Sequence, residues 1–206
     1  MTERIHFRSC KSQGYFPLPG RTEAEAVRAF VATLRSTLSC VTNQVIQVGH
    51  DGYKAGGLRA LVLNGGAPVP LRGAERIHLS VSIHYEVRRH DDPARGPWKI
   101  RTRSYLYHLV NDAMDEIILF HWHPDARGAA TEPHLHFGRS QLSPTAVISH
   151  RAHVPTGRMA LESVIQLAVN ELGVVPLRGD WEKTLTSNLE DFARFRTWSG
   201  SRPSEY

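Results

Sequence analysis

Cysteine is nearly missing from this 206-residue chain. Cys10 and Cys40 are its only two, far apart and in no metal-ligand spacing. That excludes a disulfide framework and fits two reduced thiols in a cytoplasm. Long apolar runs are missing too: none approaches the roughly 18 residues of a membrane span. The opening MTERIHFRSCKSQGYF lacks the apolar h-region of a secretory signal, so a cytoplasmic location is expected. Lysine is scarce, at four residues against 21 arginines. No G-x-S-x-G, P-loop, H-E-x-x-H or Rossmann glycine pattern occurs, which leaves hydrolases, phosphatases and dehydrogenases of those types without support. The net charge of +5 is compatible with a polyanionic partner such as nucleic acid, or with arginine-rich codon usage alone.

What is present divides into helical and strand-like periods. Thr22 and Glu25 form a capping box ahead of Val27, Phe30, Val31, Leu34 and Leu38, which recur at helical spacing towards Val41. Two short apolar runs, Val45 to Val48 and Leu58 to Leu63, read as strands between glycine-rich connections. RIHLSVSIHYEV, residues 76–87, alternates throughout. Its residues Ile77, Leu79, Val81, Ile83, Tyr85 and Val87 oppose His78, Ser80, Ser82, His84 and Glu86. In WKIRTRSYLYHLV, residues 98–110, the same alternation sets Trp98, Ile100, Thr102, Ser104 and Leu106 against Lys99, Arg101, Arg103, Tyr105 and Tyr107. IILFHWHPD turns Ile118, Phe120 and Trp122 one way and Leu119, His121, His123 and Asp125 the other, and PHLHFG separates Leu135 and Phe137 from His134 and His136. Short turns between these runs predict an antiparallel meander. A second helix is expected from about Arg158 to Leu172, closed by Gly173, and a third from Asp180 to Arg196.

The expected fold is α+β: an antiparallel sheet of about four to six strands with helices packed on one face. It forms a single domain over residues 1–198, with an N-terminal helix and short strands in 1–75 and a histidine-rich sheet with closing helices in 76–198. Residues 199–206 form a flexible tail.

If the strands pair in order, one face carries the apolar set and the other collects His84, Arg101, Arg103, Tyr105, Tyr107, His121, His123, His134 and His136. His108 breaks the partition, falling on the Leu106 face unless a bulge moves it. Two chemistries suit such a surface. In one, two or three of His121, His123, His134 and His136 bind a divalent transition metal, zinc above all, with Asp125, Glu132 or His153 completing or orienting the set. In the other, two of these histidines act as general base and general acid without metal. Arg101 and Arg103 then hold a phosphodiester, and Tyr105, Tyr107 and His84 contact substrate. Against both stands the reading that the histidines are simply solvated.

The run YLYHLVNDAMDEIILFHWHPD, followed by EPHLHFG and HVPTGRMALESVIQLAVNELGV, resembles a family of small actinobacterial proteins across about residues 77 to 185. That resemblance implies no activity. More loosely, in the order and type of its residues, the chain is similar to TumE-type toxins of bacterial toxin–antitoxin pairs, departing from them at His-Trp-His-Pro. This second resemblance implies a growth-inhibiting toxin acting on RNA, with a small antitoxin partner. The sequence-based expectation is therefore a toxin-like ribonuclease. The alternatives are a non-enzymatic binding protein, such as an antitoxin or assembly subunit, and a small protein with a structural metal.

Overall fold

The computed structural model describes residues 20–49, 52–89, 96–124 and 130–195. Cys10, Asp125 and the tail 199–206 lie outside the described residues. Helix α1, Glu23–Leu38, starts at the predicted cap: the Thr22 hydroxyl accepts from the Glu25 backbone N–H at 3.2 Å. The Glu25 carboxylate closes the cap by accepting from the Arg21 N–H, one residue before the usual position. Seven of the eight strands then form an antiparallel path: β1 (Ile46–Val48), β2 (Arg59–Leu63), β4 (His78–Arg89), β5 (Trp98–Val110), β6 (Glu116–Trp122), β7 (His134–Phe137) and β8 (Val154–Pro155). The remaining strand, β3 (Val69–Pro70), pairs with β4 beside β2. Eight strands exceed the four to six expected because β3 and β8 are two residues long and leave no periodic trace.

Helices α2 (Leu161–Glu171) and α3 (Trp181–Phe195) follow. Gly173 just beyond α2 has φ +70°, the left-handed conformation that ends a helix at low cost for glycine. The three helices pack on one another, and α1 lies against β4 and β5. Val27, Val31, Leu34 and Leu38 of α1 are buried with Leu79, Val81, Ile83 and Tyr85 of β4 and Val164 and Ile165 of α2. At the helix junction, the buried Glu162 accepts a hydrogen bond from Thr37 Oγ1 at 2.6 Å, and Asn188 donates to the same hydroxyl at 3.0 Å. Among the described residues, no helix is long and apolar enough to cross a membrane.

One correction to the predicted faces matters most. Ser104 pairs with His84 but Thr102 pairs with Tyr85, so Arg103 is an extra residue in β5. A bulge of this kind shifts the alternation by one. Trp98, Ile100 and Thr102 lie on the core face before it; Tyr105, Tyr107 and Leu109 lie there after it. Tyr105 and Tyr107, expected on the polar face as substrate contacts, are 3% and 4% exposed and belong to the core, with their rings stacked 4.8 Å apart. Leu106 moves the opposite way, onto the face of His84 and His121. His108 moves with it, so the bulge that resolves its placement sits at Arg103.

Candidate metal centre

β6 and β7 bring three imidazoles to one spot on the face away from the helices. His121 pairs with His134, while His136 pairs with Leu119, two residues along the same face. The ring centres of His121 and His134 are 4.0 Å apart, those of His121 and His136 4.9 Å, and those of His134 and His136 5.1 Å. One nitrogen from each ring lies within 4.8 Å of the other two. These three histidines are close enough to hold a metal ion.

Hydrogen bonds around the rings decide which nitrogens face inward. His134 is only 4% exposed, and its Nδ1 stands 2.6 Å from the carbonyl oxygen of Glu132. A carbonyl can only accept, so Nδ1 carries the proton and Nε2 presents a lone pair. That Nε2 is buried and has no hydrogen-bond partner among the described residues, a deficit of about 1–3 kcal/mol unless something satisfies it. His136 and His121 turn their Nε2 atoms to one another at 2.9 Å, and the Ala152 backbone hydrogen-bonds the His136 ring. Backbone groups on the outer nitrogens of His134 and His136 orient these two rings as they do histidine ligands around a metal, while one of the facing Nε2 atoms of His121 and His136 carries a proton that a metal would displace. Glu132 was expected to complete or orient the set through its side chain; the hydrogen bond comes instead from its main chain, which no side-chain motif announces.

Two of the rings resist protonation. Burial, then the charges of His134, His123, His136 and His153, push the His121 pKa down to about 4. Burial lowers His136 as well, with His153 and His134 adding to the effect. Neutral imidazole is the form that ligates metal. It follows that, of these two rings, His121 above all is ready to ligate at neutral pH. A histidine whose folded pKa lies below its unfolded value of about 6.5 stabilises the fold above that pH, and the contribution disappears as the pH falls. For metal-free protein, the thermal midpoint is expected to be level above about pH 7 and to decline between 6.5 and 4. Scanning calorimetry across that range checks this, and a midpoint that rises on acidification would contradict the buried, neutral cluster.

The other site residues distribute around this triangle. The His123 ring is 5.0 Å from that of His121, outside the group of three, and burial lowers its pKa with His134 and His84 contributing. His84 is on β4, two strands from β6, with Nδ1 3.0 Å from the Ser104 hydroxyl. His153, just before β8, sets its ring centre 4.6 Å from His134 and 4.5 Å from His136. Arg101 is exposed and pairs across the sheet with Glu86. Arg103 lies 3.7 Å from the same carboxylate, so part of its charge is already answered. Arg158, which the sequence did not single out, lies instead towards the core face of β6. Its guanidinium stacks 3.7 Å from the centre of the Trp122 ring, a cation–π contact between residues far apart in the chain. Burial lowers the Arg158 pKa, and the charges of Arg101 and Arg103 act in the same direction. His108 lies elsewhere on this face, with Nε2 3.2 Å from Glu116 Oε2.

No protein-family model, curated protein or solved structure matches the chain. The likeness to actinobacterial chains rests on the quoted motifs alone, and that to TumE-type toxins on the order and type of residues.

Proposed function

We propose that the chain is a zinc-dependent ribonuclease of the toxin type. In this reading His121, His134 and His136 hold the ion, and Arg101 with Arg103, beside Glu86 on the same face of the sheet, draws in the phosphodiester. One observation carries the metal half: the His134 Nε2, buried, without a partner among the described residues and fixed as a lone-pair donor by the Glu132 carbonyl. Zinc suits three imidazoles with a further position left for water or substrate, and a bound divalent ion supplies Lewis acidity and an activated water. The chain's own residues do the rest. The strands fix the ligands, while the arginines offset the charge of the scissile phosphate as water adds to phosphorus and a P–O bond breaks. The substrate half is supported by different features, the +5 net charge and the two β5 arginines on the face of the histidines. A small antitoxin as partner belongs to the same reading.

The 2.9 Å contact between the Nε2 atoms of His121 and His136 favours a second, metal-free reading, in which one proton shared by the two rings serves acid–base catalysis. A single experiment separates the two. Protein purified without a metal column is stripped with chelator, given single-stranded RNA, and assayed before and after one equivalent of zinc. Cleavage only after zinc is the expected result. Equal cleavage in chelator favours the acid–base reading, and intact RNA in both arms removes the ribonuclease.

A further inference from the structure

The proposed centre has three ligands rooted in paired strands and, close by, a fourth imidazole that is held differently. His153 is exposed, precedes the two-residue β8, and makes no hydrogen bond among the described residues. Its place is nevertheless fixed from both sides. Val154 pairs with Leu135, and the Ala152 backbone bonds the His136 ring. A segment anchored at 152 and 154 leaves the ring of residue 153 little choice but to stay beside β7. There it faces His134 and His136 at 66° and 70°, edge towards face.

These distances can be compared with a four-imidazole site. With a metal–nitrogen bond of about 2.0–2.1 Å and roughly 1.2 Å more to the ring centre, four tetrahedral rings would stand about 5.2 Å apart. Of the six pairs that four rings make, the five other than His121–His153 span 4.0–5.1 Å. The loop thus sets His153 beside two of the three ligands, outside the group whose nitrogens already converge, so that its exposed ring must turn inward to reach the ion.

We infer that His153 is the fourth ligand of this centre and the exchangeable one: it caps the ion at rest and yields its position to an anionic phosphate oxygen. The inference rests on the three-histidine centre proposed above and concerns how that centre opens. Its physical basis is a difference in support. Outer-nitrogen hydrogen bonds fix the orientation of histidine ligands and raise their affinity. His134 and His136 have such bonds, whereas His153 has none among the described residues. Exposure adds to this, since an exposed imidazole regains solvation and rotamer freedom on release. Displacement therefore costs least at His153, and incoming phosphate would meet the ion from the solvent side without disturbing the sheet.

Cobalt(II) is the probe, because its visible absorption reports coordination number and ligand type. The full chain and its His153→Ala variant are loaded with cobalt, and inorganic phosphate is then titrated into each. The wild type is expected to show an intense four-coordinate band that phosphate converts to a different spectrum. The variant should bind cobalt roughly 10–100-fold more weakly with an altered band, and added free imidazole should restore the wild-type band. A variant that binds cobalt with wild-type affinity and spectrum overturns the role of His153 while leaving the three-histidine centre in place. A wild-type spectrum indifferent to phosphate overturns the exchange. A wild-type chain that takes up no cobalt removes the centre itself, and this inference with it.

Discussion

Chelator-treated protein carrying both His134→Ala and His136→Ala is expected to lose zinc binding altogether at micromolar metal. Even substitutions that merely orient a ligand cost 10–100-fold in metal affinity, so removing two ligands should lower it by roughly four orders of magnitude or more. The loss should appear as thermodynamics too. Zinc at about 100 times its dissociation constant adds about 2.7 kcal/mol to the folded state, or roughly 5–11 °C in a domain of this size. That increment should vanish in the double variant. Some stability is lost even without metal, since His134 is 4% exposed and its Nδ1 bond to Glu132 goes with it. The relevant comparison is therefore the zinc-induced shift, not the midpoint alone. Circular dichroism that keeps the β-sheet signal shows that the fold has survived. If the double variant keeps the wild-type shift, the ion sits elsewhere.

Gly138→Ala should have the second large effect, for a backbone reason. Gly138 follows β7 and donates its N–H to the Ile117 carbonyl at 3.0 Å. A Cβ at this position would stand 1.5 Å from the Glu116 carbonyl oxygen, with no flexible side chain in between to move aside. β6 and β7 would have to separate. Ordinary overpacking costs about 1–3 kcal/mol, and a clash between two backbones belongs at or above the upper end. That corresponds to a midpoint lowered by roughly 6–12 °C. Because His121 is on β6 while His134 and His136 are on β7, the same separation pulls the proposed ligands apart. Zinc affinity should fall together with stability, although no ligand has been changed. An alanine variant with an unchanged midpoint and unchanged zinc affinity would show that the two strands are less closely coupled than their pairing implies.

Much of this architecture is legible in the chain because local chemistry and tertiary need agree. Thr22 caps α1 where the pattern places it, and Gly173 ends α2 with a positive φ. The alternation of β4 runs from Leu79 to Val87 without a break, and each H-x-H pair keeps its two imidazoles on one side of the sheet. Where the reading failed, a single residue was responsible. Period-two alternation cannot reveal that Arg103 is an extra residue in β5, because a bulge is set by pairing with β4 and not by residue type. From that point to the end of β5 the parity assignments reverse, which is why Tyr105 and Tyr107 passed from supposed substrate contacts to core. The strands Val69–Pro70 and Val154–Pro155 are too short to alternate at all. The Glu132 carbonyl and the Ala152 backbone were illegible for another reason: main-chain atoms are the same in every residue. Arg158 could be placed on Trp122 only once the fold had brought the loop before α2 to the end of β6.

The pairing of His121 with His134 sets the whole centre, and X-ray absorption at the zinc edge reads it most directly. Zinc-loaded protein, prepared with one equivalent of metal, is expected to show nitrogen neighbours at about 2.0–2.1 Å. The outer-shell scattering should be that of at least three imidazole rings, falling by one ring in His121→Ala. A shell of oxygens alone, or an imidazole count that ignores the loss of His121, would contradict the account.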